Sequence, residues 1–313
     1  MLLAKSDTSR YFSNATDSRK FKVDCKVPTE DWLELKRLIR GKYIDEMIIL
    51  EGLLKEDTEV VIKIGRPDML SKEYTIGLRL KDFPNFIRYY CNFSCLDTKD
   101  NLEGLVHGHL KRVCTDGGKI NIGVLVMPYY SLGDTIQCQQ TVGTVEPELD
   151  ATPKRVALHG IESYGWREEE LDVLKNVLKQ ICFSLMYAYE QIGFLHNGEH
   201  LGNILLRKTN KSSLKYGDIE LQLNGMYAVI MDFEKSTIGV SGDVYNSIRK
   251  LIHLICVSSK SDIMLEYPDM RIARLQSGNV VIKKEDYATI NDIIDNVKIR
   301  YVKSKVAQMK PKW

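Results

Sequence analysis

Long apolar runs are missing from this chain of 313 residues: none approaches the roughly 18 residues that a bilayer-spanning helix needs. Charge of one sign is missing too. Forty-four basic against 42 acidic side chains leave +2, which gives no general attraction to nucleic acid or to a membrane surface. The seven cysteines are an odd number without a CxxC pair, which argues against a disulfide framework and for a reducing, intracellular, cytoplasmic setting. Cys91 and Cys95 stand four apart with no second ligand pair at finger-like spacing, so buried free thiols are expected there rather than zinc. The start, Met1 to Asp7, lacks the basic opening and apolar core of a signal peptide. No internal repeat is visible, and the glycines form no G-x-G-x-x-G cluster; Gly41 and Gly52 are isolated.

What is present is an ordinary globular composition, 44% hydrophobic and 27% charged, with enough length for one large domain or two lobes. Residues 1–24 are polar and read as a flexible arm. From Thr29 to Ile39, acids precede bases around Trp32, Leu33, Leu35 and Leu38, the pattern of a short capped helix. Met47–Leu50 and Glu59–Ile64 read as a hairpin of a small antiparallel sheet, with Lys55–Thr58 as its turn. A helix follows over Met69–Arg79 with Ser71 as its N-cap. Asp116-Gly117-Gly118 is a turn, and Ile120–Met127 is a strongly apolar strand that Pro128 stops. Residues 134–166 carry Gly, Thr, Pro and Gln with little periodicity and read as an irregular insertion.

The clearest helix spans Glu168–Gln191, apolar nearly all round and so expected to be buried, with Gly193 ending it. Strands are expected at Ile204–Leu206 and Tyr227–Met231, with Asn224-Gly225 as a turn between them, and helices at Val244–Ile255 and Ile290–Val302.

The segment most specific in its chemistry is Leu195-His196-Asn197-Gly198-Glu199-His200-Leu201-Gly202-Asn203-Ile204-Leu205-Leu206. It resembles the catalytic loop of protein kinases, H-R-D-x-x-x-x-N followed by an apolar strand, with Asn203 five residues after the position of the Asp. That position holds Gly198. The chain is similar to the protein kinase-like superfamily over roughly residues 40 to 257. The nearest resemblance is to divergent haspin-like and large-DNA-virus Ser/Thr kinase-like proteins, whose loop often reads H-x-D-x-H-x-G-N.

The resemblance implies an α+β, bilobal fold: a small antiparallel-sheet N-lobe with one main helix over 25–127, and a helical C-lobe over 128–313 carrying the insertion. It also implies ATP and Mg2+ as cofactors. Lys63, in Val60-Val61-Ile62-Lys63, would contact the nucleotide phosphates, and Glu73 would pair with it. Val126, Met127 and Tyr129 would clasp the base, Val126 or Met127 lining the pocket and backbone near Met127–Tyr129 meeting the base edge. Asn203 and Asp232, the latter in Asp232-Phe233-Glu234 after an apolar strand, would hold the metal, with an inserted hairpin over Lys208–Met226 between them. Asp243 would brace the loop backbone. Only ten residues separate Asp232 from Gly242, too few for a conventional activation loop, so control by phosphorylation there is not expected.

Gly198 cannot accept a proton. Glu199 could stand in as the base, and His200 could lie near the γ-phosphate. Because phosphoryl transfer rests mainly on positioning and charge, losing the base slows it rather than abolishing it, by about 10²–10⁴-fold. Three readings stay open at this point: an Mg-ATP-dependent protein kinase-like enzyme acting on a protein hydroxyl, a pseudokinase serving as a binding or scaffold module for a protein partner, and a small-molecule kinase of the aminoglycoside or choline type. The resemblance implies neither nucleic acid nor membrane as a partner, and places a viral member in the host cytoplasm or the virion.

Overall fold

A computed structural model describes residues 33–41, 47–54, 58–130, 171–198, 201–257, 263–266 and 282–301. The 1–24 arm, the 134–166 insertion, Glu199 and His200 lie outside those residues. The chain is mixed α+β and falls into two compact units, one built from residues up to 82 with 88–129, the other from 83–87 and from 130 onward.

The first unit is a five-stranded antiparallel sheet. Its strands are β1 (Leu33–Arg40), β2 (Ile48–Leu54), β3 (Thr58–Gly65), β4 (Cys91–Asp97) and β5 (Ile120–Pro128), in the order β1-β2-β3-β5-β4. The expected β2–β3 hairpin is present, pairing Ile48 with Ile64 and Leu54 with Thr58. The helix expected over 29–39 is not: its described residues form β1, whose Leu33 and Leu35 alternate inward. Register shifts at Leu35/Arg37 and Leu38/Arg40 break the two-residue period there, leaving Leu33, Leu35, Leu38 and Ile39 at spacings that imitate a helix.

Helix α1 (Pro67–Leu80) begins earlier than expected, with Arg66 at the N-cap and Pro67 in the first turn, so Ser71 is inside it and caps nothing. It packs on β4 and β5. Gly123 of β5 makes that approach possible, since a Cβ there would meet Pro67 Cα at 2.8 Å. The opposite face of the sheet is apolar. Val60, Ile62, Ile64, Val124 and Val126 meet Leu102 and Leu105 of α2 (Lys99–Val106), a helix capped by the Thr98 side chain.

One cysteine expectation is corrected. Cys95 and Cys114 are joined in a disulfide across 19 residues, while Cys91 and Cys182 are free and buried. Asp97, fully buried, holds the same loop: it accepts from Cys114 N–H at 3.1 Å, the Thr115 hydroxyl at 2.7 Å and the Asn101 amide at 3.1 Å.

The second unit is built on α3 (Leu171–Ile192), buried nearly all round as its sequence requires, and closed by Gly193 at φ +63°. Its buried polar residues Asn176, Gln180 and Ser184 form one stripe at four-residue spacing. That stripe meets Asn85, itself fully buried at φ +65°. The Asn85 amide donates to Gln180 Oε1 and Ala228 O, and its carbonyl accepts from Ser184 and Tyr216 at 2.8 and 2.6 Å. Strand β6 (Ile204–Lys208) pairs antiparallel with β9 (Met226–Ile230), and between them stands the expected inserted hairpin, β7 (Ser213–Tyr216) and β8 (Ile219–Gln222). Gly217 turns that hairpin, and Gly225 leads into β9, both at positive φ.

Helices α4 (Val244–Val257) and α5 (Lys284–Asp295) complete the unit with a ribbon of β10 (Ile263–Glu266) and β11 (Lys298–Tyr301). The helix expected over 290–302 is thus six residues early, and its second half is a strand. Among the described residues, no helix is long and apolar enough to cross a membrane.

Candidate functional site

In the first unit the sequence places Lys63 on β3 and Glu73 on α1, and the fold joins them. Lys63 Nζ donates to Glu73 Oε2 at 2.7 Å, with the two residues 4% and 0% exposed. The other carboxylate oxygen, Oε1, accepts from the Tyr89 hydroxyl at 2.6 Å. Both oxygens of the buried acid are therefore satisfied, one by a charge and one by a neutral donor, as burial of an ionised pair requires. In the sequence Tyr89 is one of several neighbouring aromatics, with Phe86, Tyr90 and Phe93, and nothing there singles it out.

Cross-strand register sorts the residues expected to clasp the base. Lys63 opposes Leu125 and Val61 opposes Met127, so Met127 shares the face of Lys63. Val126 opposes Ile62 on the other face, within the apolar core, and its carbonyl accepts from Tyr90 N–H at 2.8 Å. Val126 is therefore removed from the candidate lining, a correction that strand alternation alone dictates. The Tyr129 N–H, expected at a base edge, donates instead to Glu59 O at 3.3 Å, and its hydroxyl accepts from Arg37 at 3.3 Å. Burial, then the charge of Glu51, pushes the Tyr129 hydroxyl above the usual phenol range.

In the second unit the loop after α3 is held by its own backbone and by one buried ring. His196 is 3% exposed; Gly198 N–H donates to its Nδ1 at 3.2 Å, so the other nitrogen carries the proton and donates to Met231 O at 2.9 Å. His196 is a strut in its neutral form, a role its place in the motif did not reveal. Leu195 and Thr237 exchange backbone hydrogen bonds at 2.9 Å, and Ser236 Oγ donates to His196 O.

Asn203 precedes β6 and Asp232 follows β9, at the same end of that strand pair. Met231 N–H donates to Asn203 O at 2.9 Å, which seats the residue before Asp232 opposite Asn203 at the end of the β6–β9 ladder. Asn203 Nδ2 donates to Gly198 O at 3.0 Å, which leaves Oδ1 as the amide's remaining acceptor. Asp232 has φ +68°, left-handed backbone that costs a non-glycine residue about 1 kcal/mol and collects at functional sites. Next to it Phe233 is fully buried against Phe86, Phe194 and His196.

An Asn amide and one carboxylate form a two-ligand oxygen set of the kind Mg2+ takes when phosphates and water complete its octahedron. Among the described residues, no group of three or more His, Cys, Asp or Glu could hold a metal without such help. Asn203 and Asp232 are of the donor types that such a shared Mg2+ would take.

Gly198 is not demanded by its backbone. A Cβ there would lie 3.4 Å from the His196 ring and 3.8 Å from Asn203 Nδ2, ordinary contact distances. It shares with Asn203 the lining of a small hollow that Ile181, Leu185, Ile230 and Leu251 complete.

Among the described residues, the hydrogen-bond partners of Asp243 lie in α4 and not in the loop. Asp243 caps α4, accepting from Asn246 N–H at 3.0 Å and from Arg249 at 2.9 Å. No family model matches the chain, and no curated protein shows significant similarity to it.

Proposed function

We propose that this chain is a divergent protein kinase-like protein that binds Mg-ATP. The observation that carries the reading is the Lys63–Glu73 pair, a buried cation on the third strand of a sheet held by an acid on the helix that follows it. In this reading Lys63 neutralises nucleotide phosphate, Glu73 and Tyr89 fix its position, and Asn203 and Asp232 supply oxygen ligands to the magnesium that accompanies ATP. The sheet order β1-β2-β3-β5-β4, the hairpin inserted before β9 and the left-handed Asp232 support the same assignment.

Transfer of the γ-phosphoryl group to a protein hydroxyl is the further step of this reading. Gly198 favours its rival, a pseudokinase that binds nucleotide and acts on a protein partner, because position 198 itself offers no side chain to serve as the base.

Thermal unfolding with increasing Mg-ATP tests the binding step. A ligand present at about 100 times its Kd adds about 2.7 kcal/mol of stability, a rise of several degrees, which Asp232→Asn should lose. No rise for the wild-type chain would sink the reading. Radiolabelled transfer by wild type, Glu199→Ala and Asp232→Asn then separates the rivals: transfer no greater than that of Asp232→Asn leaves only the pseudokinase.

A further inference from the structure

The face of the first unit's sheet that carries Lys63 holds a second charged group, one cross-strand row away. Arg37 opposes Glu51, Glu51 opposes Val61, and Val61 opposes Met127, so the four stand in one row across β1, β2, β3 and β5. Val61 is two residues from Lys63 and on its face. Arg37 Nε donates to Glu51 Oε2, and Arg37 Nη2 donates to the Tyr129 hydroxyl at 3.3 Å. The Glu51 side chain is only 12% exposed, while Arg37 is 43% exposed.

Such a pair contributes little to the fold. Partly exposed ion pairs are worth about 0–1 kcal/mol, and apolar side chains would cover Val61 and Met127 as well. Its spare hydrogen-bonding groups point to a ligand. Glu51 Oε1 has no partner among the described residues, Arg37 keeps further N–H donors, and the Tyr129 hydroxyl, accepting from Arg37, keeps its own proton to give. A single planar partner with a donor beside an acceptor would satisfy the acid and the guanidinium together.

We propose that Arg37 and Glu51, braced by Tyr129, read the base of the bound nucleotide. The inference rests on the nucleotide reading above and adds a specificity element to it. Adjacent strands lie about 4.8 Å apart and alternate residues about 6.8 Å apart, which sets Glu51 about 8 Å from Lys63 between Cα atoms. That spacing suits a ligand with phosphates at one end and a base at the other. An amino-bearing base such as adenine donates its exocyclic N–H to Glu51 Oε1 and accepts at a neighbouring ring nitrogen from Arg37. Hypoxanthine in that pose sets its carbonyl against the carboxylate, and can meet both side chains only by shifting so that N1–H faces Glu51 and the carbonyl faces Arg37, a displacement that weakens its binding. Recognition therefore runs through side chains of β1 and β2 and does not depend on the Tyr129 N–H, which Glu59 O already occupies.

Calorimetric titration of the full chain with Mg2+ and ATP, ITP or inorganic tripolyphosphate tests this. Wild type is expected to prefer ATP over ITP by about 10- to 100-fold, the worth of one charge-assisted hydrogen bond. Glu51→Gln keeps the acceptor for Arg37 but offers an N–H to a carbonyl, so the preference should fall to within about threefold while tripolyphosphate binding is unchanged. Arg37→Lys, which keeps the charge but loses the planar fork, should weaken ATP about tenfold and leave tripolyphosphate unaffected. Equal binding of ATP and ITP by wild type, or a preference that survives Glu51→Gln, overturns the inference while the nucleotide reading stands. Failure of both ATP and tripolyphosphate to bind wild type overturns both.

Discussion

The Lys63 station and the Gly198 station treat charge in opposite ways. At Lys63 a full cation and a full anion are buried and every oxygen of the acid is matched. At Gly198 the charge is simply absent, and the loop is held without it by His196, Asn203 and backbone pairs. The difference lies in what each removal leaves behind. Deleting Lys63 would strand a buried carboxylate; the absence of a side chain at 198 strands nothing, because the loop's hydrogen bonds at that residue use its backbone N–H and carbonyl. A chain can therefore lose its base and still fold, whereas it cannot cheaply lose its lysine. The Lys63–Glu73 pair is therefore weak evidence for catalysis, since the cost of losing one partner alone holds the other in place.

The largest expected effect tests that asymmetry directly. Lys63→Met leaves the buried Glu73 carboxylate without its cation and should cost about 3–5 kcal/mol, measured by urea unfolding. Adding Glu73→Leu should return most of that loss, because a buried ion pair exchanged for apolar groups is near neutral. A double variant as unstable as the single one would show that the pair matters for more than mutual neutralisation.

Next comes the disulfide. Opening the Cys95–Cys114 bridge by Cys95→Ser releases a 19-residue loop and should cost about 3 kcal/mol. The hydrogen bonds of Asp97 still hold the loop in the native state, so nucleotide affinity should not change. This variant separates loss of stability from loss of site within one unit. Two cysteines outside the disulfide, among the described residues, make a companion measurement: burial pushes Cys182 up to about 12, so neither it nor buried Cys91 should be labelled by a thiol reagent until the chain unfolds.

A smaller change in stability, less than about 0.5 kcal/mol, is expected for Asp232→Asn, because Asn tolerates left-handed backbone as well as Asp does. Its Mg-ATP thermal shift should nonetheless disappear. An unchanged shift would remove Asp232 from the metal set.

How far these features could be read beforehand depended on how local their causes are. The β2–β3 hairpin, α1, β5 and α3 carry their periods in consecutive residues and were legible. The Lys63–Glu73 pairing was legible through the order strand, helix and charge. Strand β1 was misread because two register shifts corrupt its alternation, and Val126 because a strand's facing depends on its partners' register. The Cys95–Cys114 bridge and the Asn85 network were invisible. Each joins residues far apart in sequence, and neither cysteine spacing nor one asparagine in a loop encodes its partner. Asn85 left only one faint signal, an Asp-Phe-Pro-Asn turn in which asparagine can take positive φ.

Gly198→Asp carries little expected effect on stability and the greatest on the comparison itself. The residue is not at positive φ, and a Cβ meets the His196 ring and the Asn203 amide at ordinary distance, so the side chain enters without displacing backbone. Replacing glycine removes unfolded-state freedom worth about 0.4–1 kcal/mol, which offsets part of the desolvation of a new carboxylate beside the apolar hollow. Net stability should stay within about 1 kcal/mol of wild type. Phosphoryl transfer, measured with saturating Mg-ATP and a mixed Ser/Thr peptide pool, should rise by about 10²–10⁴-fold over wild type if the only thing absent is the base. A folded Gly198→Asp chain that binds Mg-ATP and still transfers nothing would place the defect beyond the base. The asymmetry between the two stations would then mark a site that binds nucleotide and has no chemistry to recover.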